Sequence, residues 1–138
     1  MDLDSAVAAA VFPPPRRVAV IGISDKPDRA SHGVAKTLQH GGFKIYPVRP
    51  GEGEILGEKT YPSLADIPDD VDIVDVFRQS DKVPDHLNDI LAKKPKVLWM
   101  QDGVINDEVA QKARAAGILV VMDDCMARRF YEWSASQP

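Results

Sequence analysis

Five short runs rich in valine and isoleucine recur along the chain, separated by polar or glycine-containing stretches. They cover Arg17–Gly22, Phe43–Val48, Asp72–Phe77, Lys96–Met100 and Ile118–Met122. Several have an apolar centre without polar alternation, which is typical of parallel strands covered on both faces. The pattern therefore predicts a five-stranded parallel sheet in an α/β domain.

Helical periodicity occupies most of the intervals between these strands. Ser31, Ser80 and Asn106 are predicted N-caps because their side chains can accept hydrogen bonds from the first helical amides. The predicted inner faces are Val34, Ala35 and Leu38 in the first helix, Val83, Leu87, Ile90 and Leu91 in the second, and Val109, Ala110 and Ala113 in the third. The interval 49–71 is instead rich in glycine and proline, and it predicts a loop with one helical turn at Ser63–Ile67.

Two strand orders are compatible with this alternation. Right-handed crossovers place helices on both faces of the sheet. We predict a Rossmann-like, doubly wound sheet of order 3-2-1-4-5, with the flavodoxin-like order 2-1-3-4-5 as the alternative. Either order places a ligand crevice at the carboxyl ends of the strands, near the first one.

The bulk properties narrow the class of protein. A chain of 138 residues is long enough for one compact domain, and we predict a domain over residues 16–138 preceded by an N-terminal arm over residues 1–15. A net charge of −4 argues against general nucleic-acid binding, which needs a basic face. The single cysteine, Cys125, fits a reducing compartment. The first residues lack the basic start of an export signal, and no apolar run predicts a membrane span, so we expect a cytoplasmic protein.

The loop after the first strand carries the strongest functional signal. Gly22 permits a sharp turn, Ser24 and Ser31 supply hydroxyl groups, and Lys26 and Arg29 supply positive charge. The loop is longer than usual for a strand-to-helix connection, and amides at the start of the next helix can face an anion. It does not follow the G-x-G-x-x-G pattern. We therefore predict a phosphate-bearing ligand that is not held in the usual dinucleotide manner.

The ends of the other strands narrow the choice of ligand. Arg49 ends the second strand, where NAD sites usually carry an acidic residue. An arginine there suits a phosphate on the ribose, as in NADP or coenzyme A. Phe77 is a candidate contact for an adenine or a pantetheine chain, Arg78 for a pyrophosphate, and Gln101 for a polar ligand group.

Residues suited to catalysis or metal binding are not apparent in the sequence. Cys125 has no histidine near it in sequence to activate it, and we interpret it as a buried, inert residue. His32, His40 and His86 do not form a metal-ligand spacing with each other or with Cys125. We interpret all three as surface residues.

Several segments together resemble one known family. They are Val20–Ser24, Arg29–Ser31, Tyr46–Pro50, Gly57 with Tyr61–Leu64, Val71–Arg78, Trp99–Gly103 and Met122–Cys125. In their order and spacing the chain resembles stand-alone CoA-binding proteins, which are similar to the CoA-binding domain of the succinyl-CoA synthetase α subunit. The resemblance covers roughly residues 16–127.

This resemblance implies a Rossmann-like fold with coenzyme A lying across the carboxyl ends of the strands. It implies that Gly22, Ile23, Ser24 and Ser31 hold the phosphates, that Pro47, Val48 and Arg49 lie against the adenosine, and that Phe77 and Arg78 follow the pantetheine. The family pattern at the end of the second strand is Val-Asn-Pro. Here it is Val-Arg-Pro, so we expect Arg49 to bind the 3′-phosphate.

Three functions follow as hypotheses. The first is a module that binds coenzyme A or acyl-CoA, without catalysis of its own, and senses the thioester, carries it or presents it to a protein partner. The synthetase that it resembles needs a phosphorylated histidine in a further domain and a nucleotide-binding subunit, and we expect this chain to contain neither. The second is a small NADP-binding oxidoreductase or redox sensor. The third is an interaction module that binds protein through the aromatic residues of Arg128–Trp133.

Overall fold

The computed structural model describes residues 4–138 of the chain. Residues 1–3, which belong to the predicted N-terminal arm, lie outside the described residues. The strands are β1 (Arg17–Ile21), β2 (Lys44–Val48), β3 (Glu54–Ile55), β4 (Glu58–Lys59), β5 (Ile73–Val76), β6 (Val97–Met100) and β7 (Leu119–Val121). The helices are α1 (Ser5–Val11), α2 (Ala30–His40), α3 (Leu87–Lys93), α4 (Asp107–Ala115) and α5 (Met126–Ala135), with 3-10 helices at Leu64–Asp66 and Ser80–His86.

The predicted α/β, Rossmann-like sheet is confirmed. All five predicted strands are present within a few residues of their predicted ends, and their neighbours pair in parallel. Successive side chains point to opposite faces of a strand. Along β1, Ala19 and Ile21 therefore face α3 and α4, whereas Val18 and Val20 face α1, α2 and α5. Apolar cores on both faces explain why the strands lack polar alternation.

The position of the third predicted strand differs from the preferred order. This strand, now β5, pairs with β1 on the side opposite β2, so the five long strands follow the order 2-1-3-4-5. The outer edge of β2 is taken by one residue, Tyr61, which donates to the Pro47 carbonyl and accepts from the Arg49 amide, both at 2.9 Å. If Tyr61 is counted as a third strand, the order reads 3-2-1-4-5-6, and the predicted Rossmann pattern 3-2-1-4-5 is contained in it. The glycine-rich segment before it forms the β3–β4 hairpin and leaves room for only this single bridge.

The predicted helix caps are correct in one case of three. Asn106 accepts a hydrogen bond from the amide of Val109 at 3.0 Å and caps α4, as predicted. Helix α2 begins earlier than expected, with Arg29 at the N-cap, which leaves Ser31 inside its first turn. The hydroxyl of Ser80 accepts from the Ile105 amide instead, and the 3-10 helix there begins after Gln79.

Both ends of the described chain pack on the same face of the sheet. Val7, Val11 and Phe12 of the N-terminal segment are buried. Phe12 stacks on Trp133 of α5, with ring centroids 5.4 Å apart. Since Phe130 is also buried, Tyr131 is the one aromatic of this segment that stays largely exposed, at 62%. Most of the C-terminal aromatic surface is therefore internal packing rather than a free face.

Candidate ligand-binding site

The turn after β1 is fixed by a close approach that only glycine permits. Gly22 has a φ of +81°, and a Cβ at this position would lie 2.1 Å from the carbonyl oxygen of Phe77, which directly follows β5. Its amide donates to the carbonyl of Val48 on β2 at 2.9 Å. The loop therefore begins directly above three adjacent strand ends, where the sequence predicted a ligand crevice.

The loop between β1 and α2 is held by its own serines. The amide of Ser24 donates to the hydroxyl of Ser31 at 2.9 Å, and the amide of Lys26 donates to the hydroxyl of Ser24 at 3.0 Å. Arg29 closes the last turn by donating its amide to the Lys26 carbonyl. Ser31 thus fastens the loop rather than capping the helix. The first amides of α2 have no carbonyl partner within the helix.

A cleft of about 510 Å³ opens between this loop and the ends of β1, β2 and β5. Its volume is in the range of small-ligand sites. The lining includes eight predicted site residues, which are Gly22, Ile23, Ser24, Lys26, Arg29, Ser31, Arg49 and Phe77. Asp25 and Ala30 also line it and were not predicted. Asp25 stands between two predicted contacts in sequence, but its partner is 24 residues away and no local pattern indicates it.

The charges in the cleft are unequal. Lys26, Arg29 and Arg49 provide three cations, and Asp25 is the one acidic residue of the lining. Arg49 Nη1 lies 3.3 Å from Asp25 Oδ1. Among the described residues, Lys26 and Arg29 make no ion pair with a carboxylate. The cleft therefore carries a positive excess next to a helix N-terminus, which favours an anionic ligand.

Two predicted adenosine contacts, Pro47 and Val48, do not line the cleft. Both are buried in β2. Their carbonyl groups accept from Tyr61 and Gly22, respectively, so they position Arg49 and the loop from below. Strand β2 extends as far as Val48, so both residues belong to the covered sheet and not to the loop. Their side chains are therefore buried in the interior.

Arg78 lies beside the cleft rather than in its lining. Its Cδ is 3.4 Å from the position that a Cβ on Gly22 would take, and its Nη2 is 4.0 Å from Asp85 Oδ2. Within residues 4–138, the buried Nε of Arg78 and the buried Nε2 of His86 have no hydrogen-bond partner. Burial, and secondarily the positive charge of Arg78, lowers the pKa of His86. His86 is thus half-buried and His32 is buried, whereas the sequence predicted surface positions for both.

Gln101 belongs to a different environment, at the ends of β6 and β7. It is buried, and its Oε1 accepts a hydrogen bond from the amide of Met126 at the start of α5. Nearby, the carboxylate of Asp124 accepts from Arg128 and Arg129 at 3.0 and 2.8 Å. Trp99 donates its indole N–H to the Asp124 carbonyl at 2.9 Å. The structure therefore ties Gln101 to the protein and not to the cleft.

Strand β5 contains a buried carboxyl group two residues before Phe77, which lines the cleft. Asp75 is fully buried between Val20 of β1 and Trp99 of β6, on the same strand face as Phe77. Neither carboxylate oxygen has a hydrogen-bond partner among the described residues. Burial without a partner raises the pKa of Asp75 well above its ordinary value, because the charged form is the costlier one to desolvate.

The described residues contain no group of three or more His, Cys, Asp or Glu side chains placed to hold a metal ion. Cys125 is partly exposed and stands at the N-cap of α5, so the prediction of a buried cysteine is wrong. In the part of the chain that the structure covers, every helix is too short or too polar to cross a membrane.

A family model and several known proteins match most of this chain. The family model described as a CoA binding domain matches residues 16–130. The uncharacterized protein YneT of Bacillus subtilis (strain 168) is 42% identical over 111 residues, which are 80% of this chain and 82% of that protein. The solved structure of cell-free ID.343 from Thermus thermophilus has a TM-score of 0.87 and 34% identity over 91% of this chain and 95% of that one.

Larger enzymes match over a part of their length. The Acetate--CoA ligase [ADP-forming] I subunit alpha of Pyrococcus furiosus is 40% identical over 90 residues, or 61% of this chain and 20% of that subunit. The matched segment thus spans a fifth of the ligase subunit, and its length is that of a single domain. Together with the match over residues 16–130, these relationships show that the chain belongs to the CoA-binding domain family.

Proposed function

We propose that this chain binds coenzyme A or an acyl-CoA thioester in the cleft above β1, β2 and β5, through a domain over residues 16–138. The observation that carries the proposal is the convergence of Lys26, Arg29 and Arg49 on one cleft next to the first turn of α2. Membership of the CoA-binding domain family supports the same ligand. Coenzyme A carries a pyrophosphate and a separate 3′-phosphate, which together match a cleft with more than one cation.

The pyrophosphate is assigned to the loop side of the cleft. Lys26 and Arg29 lie there beside the first amides of α2, and neither cation is engaged by a described carboxylate. Backbone amides at a helix N-terminus bind phosphates well because they are fixed and carry the positive end of the helix dipole. The hydrogen bond between the Ser24 amide and the Ser31 hydroxyl fixes the loop beside these amides.

The 3′-phosphate is assigned to Arg49 at the end of β2. A guanidinium group makes paired hydrogen bonds with phosphate oxygens, and Arg49 already faces an anion in Asp25. Phe77 supplies an apolar wall on the opposite side of the cleft for the pantetheine arm. Pro47 and Val48 act indirectly, by fixing the strand end that presents Arg49.

We further propose that the domain presents its thioester to a protein partner in a reducing, cytoplasmic compartment and performs no chemistry of its own. A single cysteine suits such a compartment. The family relationship to ADP-forming ligases, in which matched segments are a fifth or less of the whole protein, suggests the kind of enzyme that uses such a domain.

Isothermal titration calorimetry with coenzyme A, dephospho-CoA and NADP tests the ligand. We expect coenzyme A to bind more tightly than either of the others. Arg49→Met should weaken coenzyme A binding by about tenfold, the loss of one charge-assisted hydrogen bond, and leave dephospho-CoA nearly unaffected. Arg17→Met is the matched control, because Arg17 is an exposed cation at the opposite end of β1.

NADP is the discriminating competitor, because its 2′-phosphate also suits an arginine at the end of the second strand. If NADP binds as tightly as coenzyme A, the proposal fails and the oxidoreductase or redox-sensor alternative replaces it. If neither coenzyme binds, the cleft is not a coenzyme site.

A further inference from the structure

The cleft contains its own anion. Asp25 Oδ1 lies 3.3 Å from Arg49 Nη1, and both residues belong to the lining. The contact joins the loop after β1 to the end of β2. Of the three cations in the cleft, Arg49 is the one that a carboxylate of the described chain engages.

The two partners of this ion pair differ in how firmly they are held. The backbone of Arg49 is fixed, since its amide donates to the Tyr61 carbonyl at 2.9 Å, and its side chain is 35% exposed. The side chain of Asp25 is 63% exposed and has Arg49 as its one ion-pair partner in residues 4–138. The carboxylate can therefore leave with little cost, because an exposed ion pair contributes about 0–1 kcal/mol.

We propose that Asp25 is a displaceable counter-ion that occupies Arg49 until a phosphate monoester replaces it, and so determines how strongly the cleft selects ligands with that phosphate. The inference rests on the proposed function. A phosphate monoester carries a charge of about −1.5 to −2 at pH 7 and three acceptor oxygens, so it outcompetes a single carboxylate for a guanidinium group. A coenzyme without the monoester leaves the ion pair in place.

This arrangement predicts an asymmetric effect of removing the carboxylate. Coenzyme A has to break the ion pair before its 3′-phosphate reaches Arg49, whereas dephospho-CoA does not. Asp25→Asn should therefore tighten coenzyme A binding by about two- to fivefold, the range that corresponds to an exposed ion pair. The ratio of the dephospho-CoA and coenzyme A dissociation constants should rise by the same factor.

Calorimetry on four variants tests the inference. Asp28→Asn is the matched control, because Asp28 is an exposed carboxylate of the same loop that lies outside the lining of the cleft. It removes the same charge and should leave the ratio unchanged. Arg49→Met with and without Asp25→Asn completes a double-mutant cycle. In the Arg49→Met background, Asp25→Asn should no longer change the ratio.

The possible failures are distinguishable. If coenzyme A binds but Asp25→Asn leaves the ratio unchanged or lowers it, the inference is overturned and the proposed function stands. An equal rise with Asp28→Asn also overturns it, because the effect would then be a general one of net charge. If the wild-type chain and Asp25→Asn bind neither coenzyme, the proposed function fails and the inference fails with it.

Discussion

Polar and charged side chains follow every long strand at the carboxyl edge of the sheet, but the two halves of that edge use them differently. At the ends of β1, β2 and β5, which we call the open half, Lys26 and Arg29 have no carboxylate partner among residues 4–138. At the ends of β6 and β7, the closed half, Asp124 engages both Arg128 and Arg129. Gln101 in the closed half is bonded to the start of α5.

Polar residues at the strand ends therefore have two different roles. In the closed half, side chains satisfy each other and fasten α5 to the sheet. In the open half, charge faces a cleft, and the buried polar atoms that lack partners in the described chain all belong to β5 or the segment after it, on Asp75, Arg78 and His86. Buried polar groups normally have hydrogen-bond partners. Missing partners therefore distinguish the open half from the closed half, and they agree with the ligand site proposed there.

The largest predicted effect is on stability, at the turn that begins the open half. Gly22→Ala places a Cβ 2.1 Å from the Phe77 carbonyl and forces a side chain into a φ of +81°. Backbone strain of about 1–3 kcal/mol and overpacking of about 1–3 kcal/mol add, and we expect a loss of roughly 3 kcal/mol or more in the free energy of unfolding, measured by urea denaturation.

Gly103→Ala in the closed half is the matched control for this prediction. Gly103 has a φ of +79°, but nothing lies within 4 Å of the position of its Cβ. It should lose about 1 kcal/mol, the conformational term alone. If both variants lose the same free energy of unfolding, the contact with Phe77 does not contribute to stability. The two turns would then not differ in energy.

Most of the residues that line the cleft in the open half could be predicted from the sequence, because they lie close together along the chain. Gly22, Ser24, Lys26, Arg29 and Ser31 lie in one loop whose length and composition indicate an anion site. The strands were equally readable, since both faces of the sheet are covered and several strands have a continuous apolar centre.

The sequence could not give the pairings between distant segments. The contact between Asp25 and Arg49, and the bond from Gln101 to Met126, join residues about 25 positions apart. The order of the strands depended in the same way on Tyr61, a single residue that pairs with β2 without forming a strand of its own. Local propensity contains none of this information, because it is determined by how the crossovers fold.

The next effect concerns the closed half. Asp124→Asn removes the charge that holds Arg129, whose side chain is 18% exposed, and weakens the contact with Arg128. Hydrogen bonds to charged groups contribute about 1.5–3 kcal/mol each when they are protected from water, so we expect a loss of about 2 kcal/mol in the free energy of unfolding. Coenzyme A affinity, measured by calorimetry on the folded variant, should not change.

Asp102→Asn serves as the control for that substitution. Asp102 bonds to Arg128 on the surface, at 3.0 and 3.2 Å, and such an exposed ion pair is expected to contribute less than about 1 kcal/mol. If either variant weakened coenzyme binding, the closed half would be part of the ligand site and the comparison between the halves would fail.

The last predicted effect, which is small for each pH unit, is a pH dependence of the free energy of unfolding that arises at Asp75 on β5. Because burial raises its pKa in the folded state, the native protein keeps this proton at a pH where the unfolded chain, with a pKa near 3.9, has released it. Stability therefore falls as pH rises above about 4, and it continues to fall until the native carboxyl group ionises as well. The slope for one such group is at most about 1.4 kcal/mol per pH unit.

Asp75→Asn cannot ionise, so its stability relative to the wild-type chain should increase with pH, whatever constant cost the buried amide adds. Urea denaturation at pH 4, 5, 6 and 7 measures this difference. Asp70→Asn, which removes an exposed carboxylate from the segment leading into β5, is the control for the loss of one carboxylate from the protein. A flat difference for Asp75→Asn would mean that Asp75 finds a partner in solution, and the open half would then have its polar groups satisfied just as the closed half does.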